Sequence, residues 1–199
     1  MLIAEAVLAG FVVGSMPFGY VLVHLLGKGD IRSVGSGNIG ATNVGRVLGP
    51  AGWTTTLLLD ASKGVVGVML GGWVMDGAAA GMAAGAAGAV LGHCYTPWLR
   101  GRGGKGVATM LGAFGYLSPV STLVAVAGFV LSVASTRWVS LGSLVAAIAL
   151  VVAMVVRGEP WSYAGSGLVV CAVVFIRHRE NIARLIRGTE TKVGGSRVA

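Results

Sequence analysis

Residues 33–46 read Ser33-Val34-Gly35-Ser36-Gly37-Asn38-Ile39-Gly40-Ala41-Thr42-Asn43-Val44-Gly45-Arg46, a polar, glycine-rich stretch in an otherwise apolar chain. Unpaired amides and polar side chains are costly in hydrocarbon, so this stretch cannot face lipid. It is rich in hydrogen-bond donors, carries one arginine and has no carboxylate. We therefore interpret it as a loop at a membrane surface or beside a wet cavity, suited to binding phosphate. An ordinary glycine-rich connector is the alternative.

The composition of the whole chain excludes an ordinary soluble domain. Hydrophobic residues make up 55% and charged residues 11% of the 199 positions, and the mean hydropathy is +0.82. These values are typical of a polytopic membrane protein. The length allows roughly five to seven spans with short loops. We expect a single transmembrane domain over residues 1–199, with a flexible tail over residues 191–199.

Positive charge, which totals a formal net +8, is concentrated in four regions of the chain. Lys and Arg cluster in residues 28–50 and 100–105, at Arg137, and from Arg177 onward. By the positive-inside rule these four regions face the cytoplasm. The predicted fold is an all-α integral membrane bundle of about seven short or full transmembrane helices, with the N-terminus outside and the C-terminus inside. Five crossings would give the same sidedness.

Proline and glycine divide the apolar stretches. Residues 2–26 predict a first span that is interrupted at Ser15-Met16-Pro17, because proline lacks a backbone N–H. No cationic segment precedes this span, so we do not interpret it as a signal peptide. Residues 107–134 are too long for one upright helix and should break at Ser118-Pro119. Residues 77–96 carry glycine every three or four positions, a spacing that predicts close helix packing.

Two ionisable residues interrupt the apolar stretch 51–75. Asp60 and Lys63 are three positions apart and therefore lie on one face of a helix. Charged residues inside a membrane are functional candidates by default. A structural ion pair is the alternative.

A second glycine- and cation-rich loop reads Arg100-Gly101-Arg102-Gly103-Gly104-Lys105-Gly106. It lacks the first glycine and the Ser/Thr of a nucleotide P-loop, and the G-x-G-x-x-G spacing of residues 35–40 lacks the strand of a dinucleotide-binding fold. The loop can still hold a phosphate through backbone N–H groups, with Lys105 as a point charge. A basic loop that binds only lipid headgroups is the alternative.

No familiar catalytic set accompanies these loops. No histidine is followed by aspartate five positions on, and the sequence shows neither a Ser-His-Asp set nor a metal-ligand cluster. His93 is placed to hydrogen-bond either a ligand or the loop backbone. We expect no metal, no cofactor and a proton acceptor supplied by a substrate.

Three separated motifs carry a resemblance to a known enzyme family. They are Ser36-Gly37-Asn38-Ile39-Gly40-Ala41-Thr42-Asn43-Val44-Gly45-Arg46; Gly92-His93 with Gly103-Gly104-Lys105-Gly106-Val107-Ala108-Thr109; and His178, Asn181, Arg184, Gly188 and Glu190. In this order they resemble the signature regions of the bacterial, membrane-integral acyl-phosphate:glycerol-3-phosphate acyltransferases, as does Asp60-Ala61-Ser62-Lys63-Gly64. Only Arg100-Gly101-Arg102 departs from the pattern, where many relatives are more aromatic.

The resemblance implies an enzyme of the inner (plasma) membrane that transfers a fatty acyl group from acyl phosphate to the 1-hydroxyl of glycerol 3-phosphate. The products would be lysophosphatidate and inorganic phosphate, in the first committed step of phospholipid synthesis. Its partners would be the two substrates and membrane lipids, with no nucleic acid, and its active site would face the cytoplasm. A small phosphate-ester transporter is the alternative, although the inverted repeats it would require are not found in the sequence.

We divide the expected site into two phosphate clusters. Acyl phosphate is assigned to Ser36, Asn38, Thr42, Lys105 and the Gly103-Gly104 backbone, and glycerol 3-phosphate to Arg46, Lys63, His178 and Asn181. The expected catalytic residues are Ser36, Arg46, Lys105, His178 and Asn181. The expected substrate-binding residues are Gly37, Asn38, Thr42, Asn43, Lys63, His93, Gly103, Gly104, Gly106 and Thr109. Asp60 and Glu190 are expected to be structural.

Overall fold

Every regular element in the part of the chain that the structure describes is helical. The structure is a computed structural model that describes residues 1–194. These residues form the helices α1 Leu2–Gly14, α2 Phe18–Leu25, α3 Ala41–Val74, α4 Ala79–Cys94, α5 Val107–Leu117, α6 Pro119–Thr136, α7 Val139–Val156, α8 Trp161–Arg177 and α9 Arg179–Ile186. Short 3-10 turns, Ile31–Ser33 and Pro97–Leu99, lie in the two connections that carry the glycine-rich loops. The all-helical prediction is confirmed.

Within residues 1–194, four helical segments are long and apolar enough to cross a membrane: Leu2–Leu25, Ala41–Val74, Pro119–Thr136 and Val139–Val156. The pair α8 and α9, bent by 61° at its break, would make a fifth. α4, with 16 residues, and α5, with 11, are shorter than these segments. The number of crossings and their sidedness remain predictions.

The predicted helix breaks are found at both proline positions. Pro17 separates α1 from α2, and the Ser15 hydroxyl before it donates to the Val12 carbonyl at 2.7 Å. Pro119 opens α6 directly after α5 ends at Leu117. In both places proline ends one helix because it cannot donate the hydrogen bond that would continue it.

The start of α3 differs from the sequence prediction. The helix begins at Ala41, so residues 41–46 of the polar stretch are helical and the loop proper is shorter than predicted. A kink follows at Gly49, whose φ is 69°, and Pro50 begins the second part of the helix. Glycine adopts this left-handed conformation without strain, and proline is well suited to the first position of a helix.

Glycine allows α1, α3 and α4 to pack backbone against backbone. A Cβ added to Gly85 of α4 would overlap the Gly67 carbonyl oxygen of α3, and one added to Gly10 of α1 would overlap the Gly85 carbonyl oxygen. Gly71 of α3 is equally close to Gly81 of α4. The close packing predicted from the glycine spacing is therefore confirmed.

The second loop joins two helix ends that lie beside the middle of α3. α5 starts there, because a Cβ on Gly64 of α3 would overlap the Thr109 carbonyl oxygen. α4 ends near the same level, since His93 lies 3.5 Å from Asp60. Gly64 is ten residues before Val74, the end of α3, which corresponds to about 15 Å of helix. The second loop is therefore set back from the start of α3.

The first residues of the predicted tail contact the turn between α6 and α7. The Val193 N–H donates to the Arg137 carbonyl at 2.8 Å, and the Arg137 guanidinium donates to the Val193 carbonyl at 2.7 Å. Residues 195–199 of that tail lie outside the described residues. Flexibility of the tail remains a prediction.

A carboxylate joins the helix ends at the far end of α5. Glu159 Oε1, in the turn between α7 and α8, accepts hydrogen bonds from the Ser118 and Ser121 hydroxyls at 2.6 and 2.7 Å. Burial raises the pKa of Glu159, but these bonds and one from Arg157 lower it below its ordinary value overall. Glu159 therefore serves as an anionic acceptor near neutral pH.

We expect Glu159→Gln to destabilise the folded protein by about 2 kcal/mol, because hydrogen bonds to a charged group contribute about that much. The measurement is denaturation of the detergent-solubilised protein. Glu5→Gln is the matched control, since Glu5 is exposed in the first turn of α1. Equal stability of the two variants would contradict the role of Glu159.

Candidate active site

The first loop is shaped by one buried amide. Asn43, 1% exposed, donates from Nδ2 to the carbonyls of Val34 and Asn38, each at 2.9 Å. Its Oδ1 accepts from the Ser36 N–H at 3.0 Å. Asn43 was predicted to bind substrate, but both of its amide hydrogens are used inside the loop. Its side chain therefore sets the loop conformation.

The polar side chains around this amide remain open. Arg46 and Thr42 are exposed on the first turns of α3, and Ser36 is half-buried. In the part of the chain that the structure describes, the side chains of these three residues have no hydrogen-bond or ion-pair partner. Asn38 uses its Oδ1 to accept from the Gly40 N–H at 2.8 Å. The loop thus presents two hydroxyls and a guanidinium to a ligand.

The backbone of the second loop is held by its neighbours, which corrects part of the prediction. The N–H groups of Gly103 and Gly104 donate to the carbonyls of Cys94 and His93 at 3.2 and 3.0 Å. Since these two N–H groups are already used, they cannot form the phosphate cradle predicted from the sequence. Arg177, at the end of α8, donates to the carbonyls of the same two glycines at 2.8 and 3.0 Å.

The donors left for an anion lie just after these glycines. Gly106 has a φ of 84° and precedes α5, so the N–H groups of Val107, Ala108 and Thr109 have no partner within the helix. The positive end of the helix dipole lies at the same place. Thr109 is fully buried, and its hydroxyl has no hydrogen-bond partner among residues 1–194.

Lys105 connects the second loop to the third motif. Its Nζ donates to Asn181 Oδ1 at 2.5 Å. Burial lowers the pKa of Lys105 to about 8, while the Glu190 carboxylate acts in the opposite direction. Lys105 is half-buried, and its ammonium begins to lose its proton just above neutral pH. A bound phosphate would stabilise its charged form.

Glu190 fixes the orientation of Asn181. Its Oε1 accepts from Asn181 Nδ2 at 2.6 Å and from the Ser140 hydroxyl at 2.8 Å, and its Oε2 accepts from Arg184 at 2.6 Å. Burial raises the pKa of Glu190, but these three hydrogen bonds lower it below its ordinary value overall. Because Nδ2 is bound to a carboxylate, Asn181 must present its oxygen to Lys105.

His178 lies between α8 and α9 and is 2% exposed. Its Nδ1 is 2.8 Å from the Val174 carbonyl. A carbonyl oxygen only accepts, so Nδ1 carries a hydrogen and Nε2 is the remaining functional nitrogen.

The three motifs meet at one end of the bundle. Leu99, directly before the second loop, packs in one apolar cluster with Ile39 and Val44 of the first polar stretch and with Ile31 just before it. The third motif reaches the second loop through Arg177 and Lys105, as described above. No hydrogen bond in the described residues joins Ser36 or Arg46 directly to Lys105, His178 or Asn181. The side chains of the two groups are therefore not joined directly by hydrogen bonds.

Lys63 lies apart from the residues with which it was grouped. It is 2% exposed, its Nζ is 2.9 Å from Asp60, and it donates to the Met16 carbonyl at 2.8 Å. Asp60 is equally buried and lies 3.5 Å from His93 Nδ1. The structure therefore does not support a place for Lys63 beside His178 and Asn181, because its ammonium is occupied inside the bundle.

Arg177 is the residue that the sequence analysis missed. Its guanidinium donates hydrogen bonds to the carbonyls of Gly103 and Gly104. Its Cζ lies 5.5 Å from the centre of the Tyr95 ring. Its position next to His178 in the third motif was an available signal. A cation in the last turn of a helix is, however, common without any site, so the sequence alone did not distinguish it.

Comparison with known proteins places this arrangement in a family. A profile described as glycerol-3-phosphate acyltransferase matches residues 4–188. The glycerol-3-phosphate acyltransferase of Syntrophotalea carbinolica is 45% identical over 186 residues, covering 93% of this chain and 94% of the relative. That of Brucella ovis is 43% identical over 189 residues, covering 95% and 92%.

Two solved structures agree with the described fold. The crystal structure of PlsY (YgiH), an integral membrane glycerol 3-phosphate acyltransferase, in its glycerol 3-phosphate form gives a TM-score of 0.89 at 35% identity, covering 96% of this chain and 94% of that one. The lysophosphatidic acid form gives 0.87 at 34% identity, with the same coverage. The resemblance seen in the sequence and the integral membrane class are both confirmed. The chain belongs to the glycerol-3-phosphate acyltransferase family.

Proposed function

We propose that this protein transfers a fatty acyl group from acyl phosphate to the 1-hydroxyl of sn-glycerol 3-phosphate, giving 1-acylglycerol 3-phosphate and inorganic phosphate. Family membership supports the acyltransferase activity. The related PlsY structures in glycerol 3-phosphate and lysophosphatidic acid forms support the acceptor and the product. The observation that carries the proposal is the contact of Lys105 with Asn181 beside the start of α5, at the same end of the bundle as the open donors of the first loop.

We assign two phosphate-binding groups. Ser36, Asn38 and Thr42, with Lys105 and the first N–H groups of α5, bind the acyl phosphate. Arg46, His178 and Asn181 bind glycerol 3-phosphate. Asn43 and Gly37, whose φ is 69°, shape the first loop, and Glu190 orients Asn181.

The chemistry is acyl transfer to an alcohol. The 1-hydroxyl oxygen attacks the carbonyl carbon of the acyl phosphate, and the bond from that carbon to the phosphate oxygen breaks. Cations and N–H groups stabilise the negative charge that develops on the carbonyl oxygen and the departing phosphate. A substrate phosphate, whose second pKa is about 6, accepts the hydroxyl proton. Binding both substrates with the hydroxyl oxygen next to the carbonyl carbon, in the orientation for attack, supplies much of the remaining acceleration.

The protein acts in the inner (plasma) membrane with its site facing the cytoplasm. Its membrane location follows from the family and the apolar helices. The cationic residues of all three motifs favour the cytoplasmic side for the end of the bundle where they meet. Glycerol 3-phosphate, a soluble phosphate ester, would then reach the site from the cytoplasm.

The direct test is phosphate release by the detergent-solubilised protein supplied with palmitoyl phosphate and glycerol 3-phosphate. We expect release that depends on both substrates and equals the lysophosphatidate formed. Palmitoyl coenzyme A in place of the acyl phosphate should give no product. Release that is independent of glycerol 3-phosphate would indicate a hydrolase and contradict the proposal.

The rate should depend on pH through Lys105. Because burial lowers its pKa to about 8, the ammonium is present below that pH and lost as pH rises through it. We therefore expect kcat/KM for acyl phosphate to fall above about pH 8, since this quantity reports the free enzyme. Lys105→Arg keeps its charge, so its residual activity should lack this alkaline fall. A wild-type profile that stays flat across this range, after correction for spontaneous hydrolysis, would contradict the assignment.

A further inference from the structure

Three ionisable side chains are buried together at the base of the second loop. Asp60 and Lys63 of α3 and His93 of α4 are each 2–3% exposed. Lys63 Nζ lies 2.9 Å from Asp60 Oδ1, and His93 Nδ1 lies 3.5 Å from the same oxygen. His93 Nδ1 makes no hydrogen bond to another group in residues 1–194. Asp60 is therefore the polar neighbour that orients the imidazole.

The Asp60–Lys63 pair is itself anchored to the break between α1 and α2. Lys63 donates to the Met16 carbonyl at 2.8 Å, in the break between α1 and α2. The same carbonyl also accepts from the Phe18 N–H at 3.1 Å. The ion pair thus connects α3 to the α1–α2 break, and His93 of α4 lies beside it.

The opposite edge of the imidazole supports the second loop. A Cβ added to Gly104 would overlap His93 Nε2, so the Gly104 backbone lies directly against the ring. The His93 carbonyl also accepts from the Gly104 N–H at 3.0 Å. The Gly104 carbonyl in turn accepts a hydrogen bond from Arg177 Nε at 3.0 Å. Gly104 is therefore held between His93 and Arg177, immediately before Lys105 in the chain.

We infer that the buried cluster of Asp60, Lys63 and His93 is a positioning element for Lys105. Asp60, neutralised by Lys63, orients the His93 ring, and the ring sets the position of Gly104 and so of the next residue. His93 acts through Lys105 and does not itself transfer a proton or contact a substrate. This inference rests on the proposed function, because the catalytic effect of a displaced Lys105 is expected only if Lys105 binds the acyl phosphate.

The first test is a double-mutant cycle between His93→Gln and Lys105→Met. His93→Gln should lower kcat by about 10- to 100-fold, since a displacement of about 1 Å can cost that much. KM for glycerol 3-phosphate should change by less than about threefold, because Lys105 is assigned to the other substrate. In the Lys105→Met background, His93→Gln should cost less than about twofold more. Equal losses in both backgrounds would overturn the inference.

His24→Gln is the matched control. His24 is exposed near the end of α2 and outside the assigned site, so the same chemical change should leave the kinetics at wild-type values. All rates are normalised to folded, monodisperse protein, which separates lost activity from lost protein. A His93→Gln loss of four or more orders of magnitude, together with a changed acid limb in the pH profile, would identify a base and overturn the positioning role.

The second test does not use activity. Amine-reactive labelling followed by mass spectrometry reports the accessibility and protonation of each lysine. His93→Gln should change the labelling rate of Lys105 at least about threefold and leave that of exposed Lys28 unchanged. An unchanged Lys105 rate would overturn the inference. Absence of acyl transfer by the wild-type protein would instead refute the proposed function, while this labelling result would still stand.

The role of the ion pair is tested by removing both charges at once. Either single change leaves an unpaired buried charge and can prevent folding, whereas a neutral pair of similar size is usually tolerated. Folded Asp60→Asn/Lys63→Met should show the kcat loss and the Lys105 labelling change of His93→Gln. Wild-type behaviour of the folded double variant would exclude the ion pair from the positioning element.

Discussion

Lys105→Met is expected to lower kcat/KM by about three orders of magnitude while the protein remains folded. Lys105 lies two residues before the start of α5, and its contact with Asn181 joins residues that we assign to the two different substrates. Removing one preorganised donor from a transition state commonly costs about 100- to 1000-fold, and here a charge is lost as well. Methionine retains the length of the side chain, so packing around the loop should change little.

The comparison variant is Lys28→Met, an identical change at an exposed lysine after α2. Its kcat/KM should remain within about twofold of wild type, since an exposed charge is screened by solvent and salt. The measurement is lysophosphatidate formation at several concentrations of each substrate. If purified, folded Lys105→Met kept more than about a tenth of the wild-type activity, Lys105 could not have the electrostatic role assigned to it.

Gly85→Val is expected to destabilise the fold by about 3 kcal/mol or more, the upper end of what overpacking costs. Gly85 lies where α1, α3 and α4 meet, and even a single Cβ there would overlap the Gly67 carbonyl oxygen. The three atoms nearest to the added Cβ all belong to the α3 backbone, at Gly67 and Gly71, so no side chain can rotate away to make room. Valine can be accommodated only if whole helices separate, which would break the close glycine contacts along α4.

Gly165→Val provides the control for helix propensity and for added bulk. Gly165 lies in α8 and has no atom within 4 Å of an added Cβ. The two variants should therefore differ clearly in melting temperature and in the yield of monodisperse protein in detergent. Equal melting temperatures would mean that the contact of the three helices at Gly85 contributes little to stability.

Local features of the fold were accessible from the sequence because their causes are local. Pro17 and Pro119 interrupt apolar runs because proline lacks a backbone N–H, and both breaks are found. The glycine spacing of residues 77–96 predicted close packing for the same reason, since only a residue without Cβ permits it. The three motifs were also assigned to one surface by charge, and they do meet.

Features of the site that depend on how the helices are rotated against each other could not be predicted from the sequence. His93 has no aspartate nearby in sequence, yet Asp60 faces it from another helix, 33 residues earlier. The Gly103-Gly104 amides looked available because nothing in the sequence showed that α4 carbonyls would accept them. Asn43 was likewise assigned to substrate, since its burial follows only from the folded loop. Hydrogen-bond partners that are distant in sequence are set by tertiary packing, which periodicity does not report.

The early end of α4 and the late start of α5 have a consequence for how the reactants come together. Since Thr109 lies beside Gly64, only about 15 Å of α3 remains beyond this level, roughly half the thickness of a hydrocarbon core. We expect glycerol 3-phosphate to enter from water at the end of the bundle that holds the motifs, while the acyl phosphate enters from the side with its acyl chain still in the lipid. Neither molecule then has to leave its own solvent for the two to react.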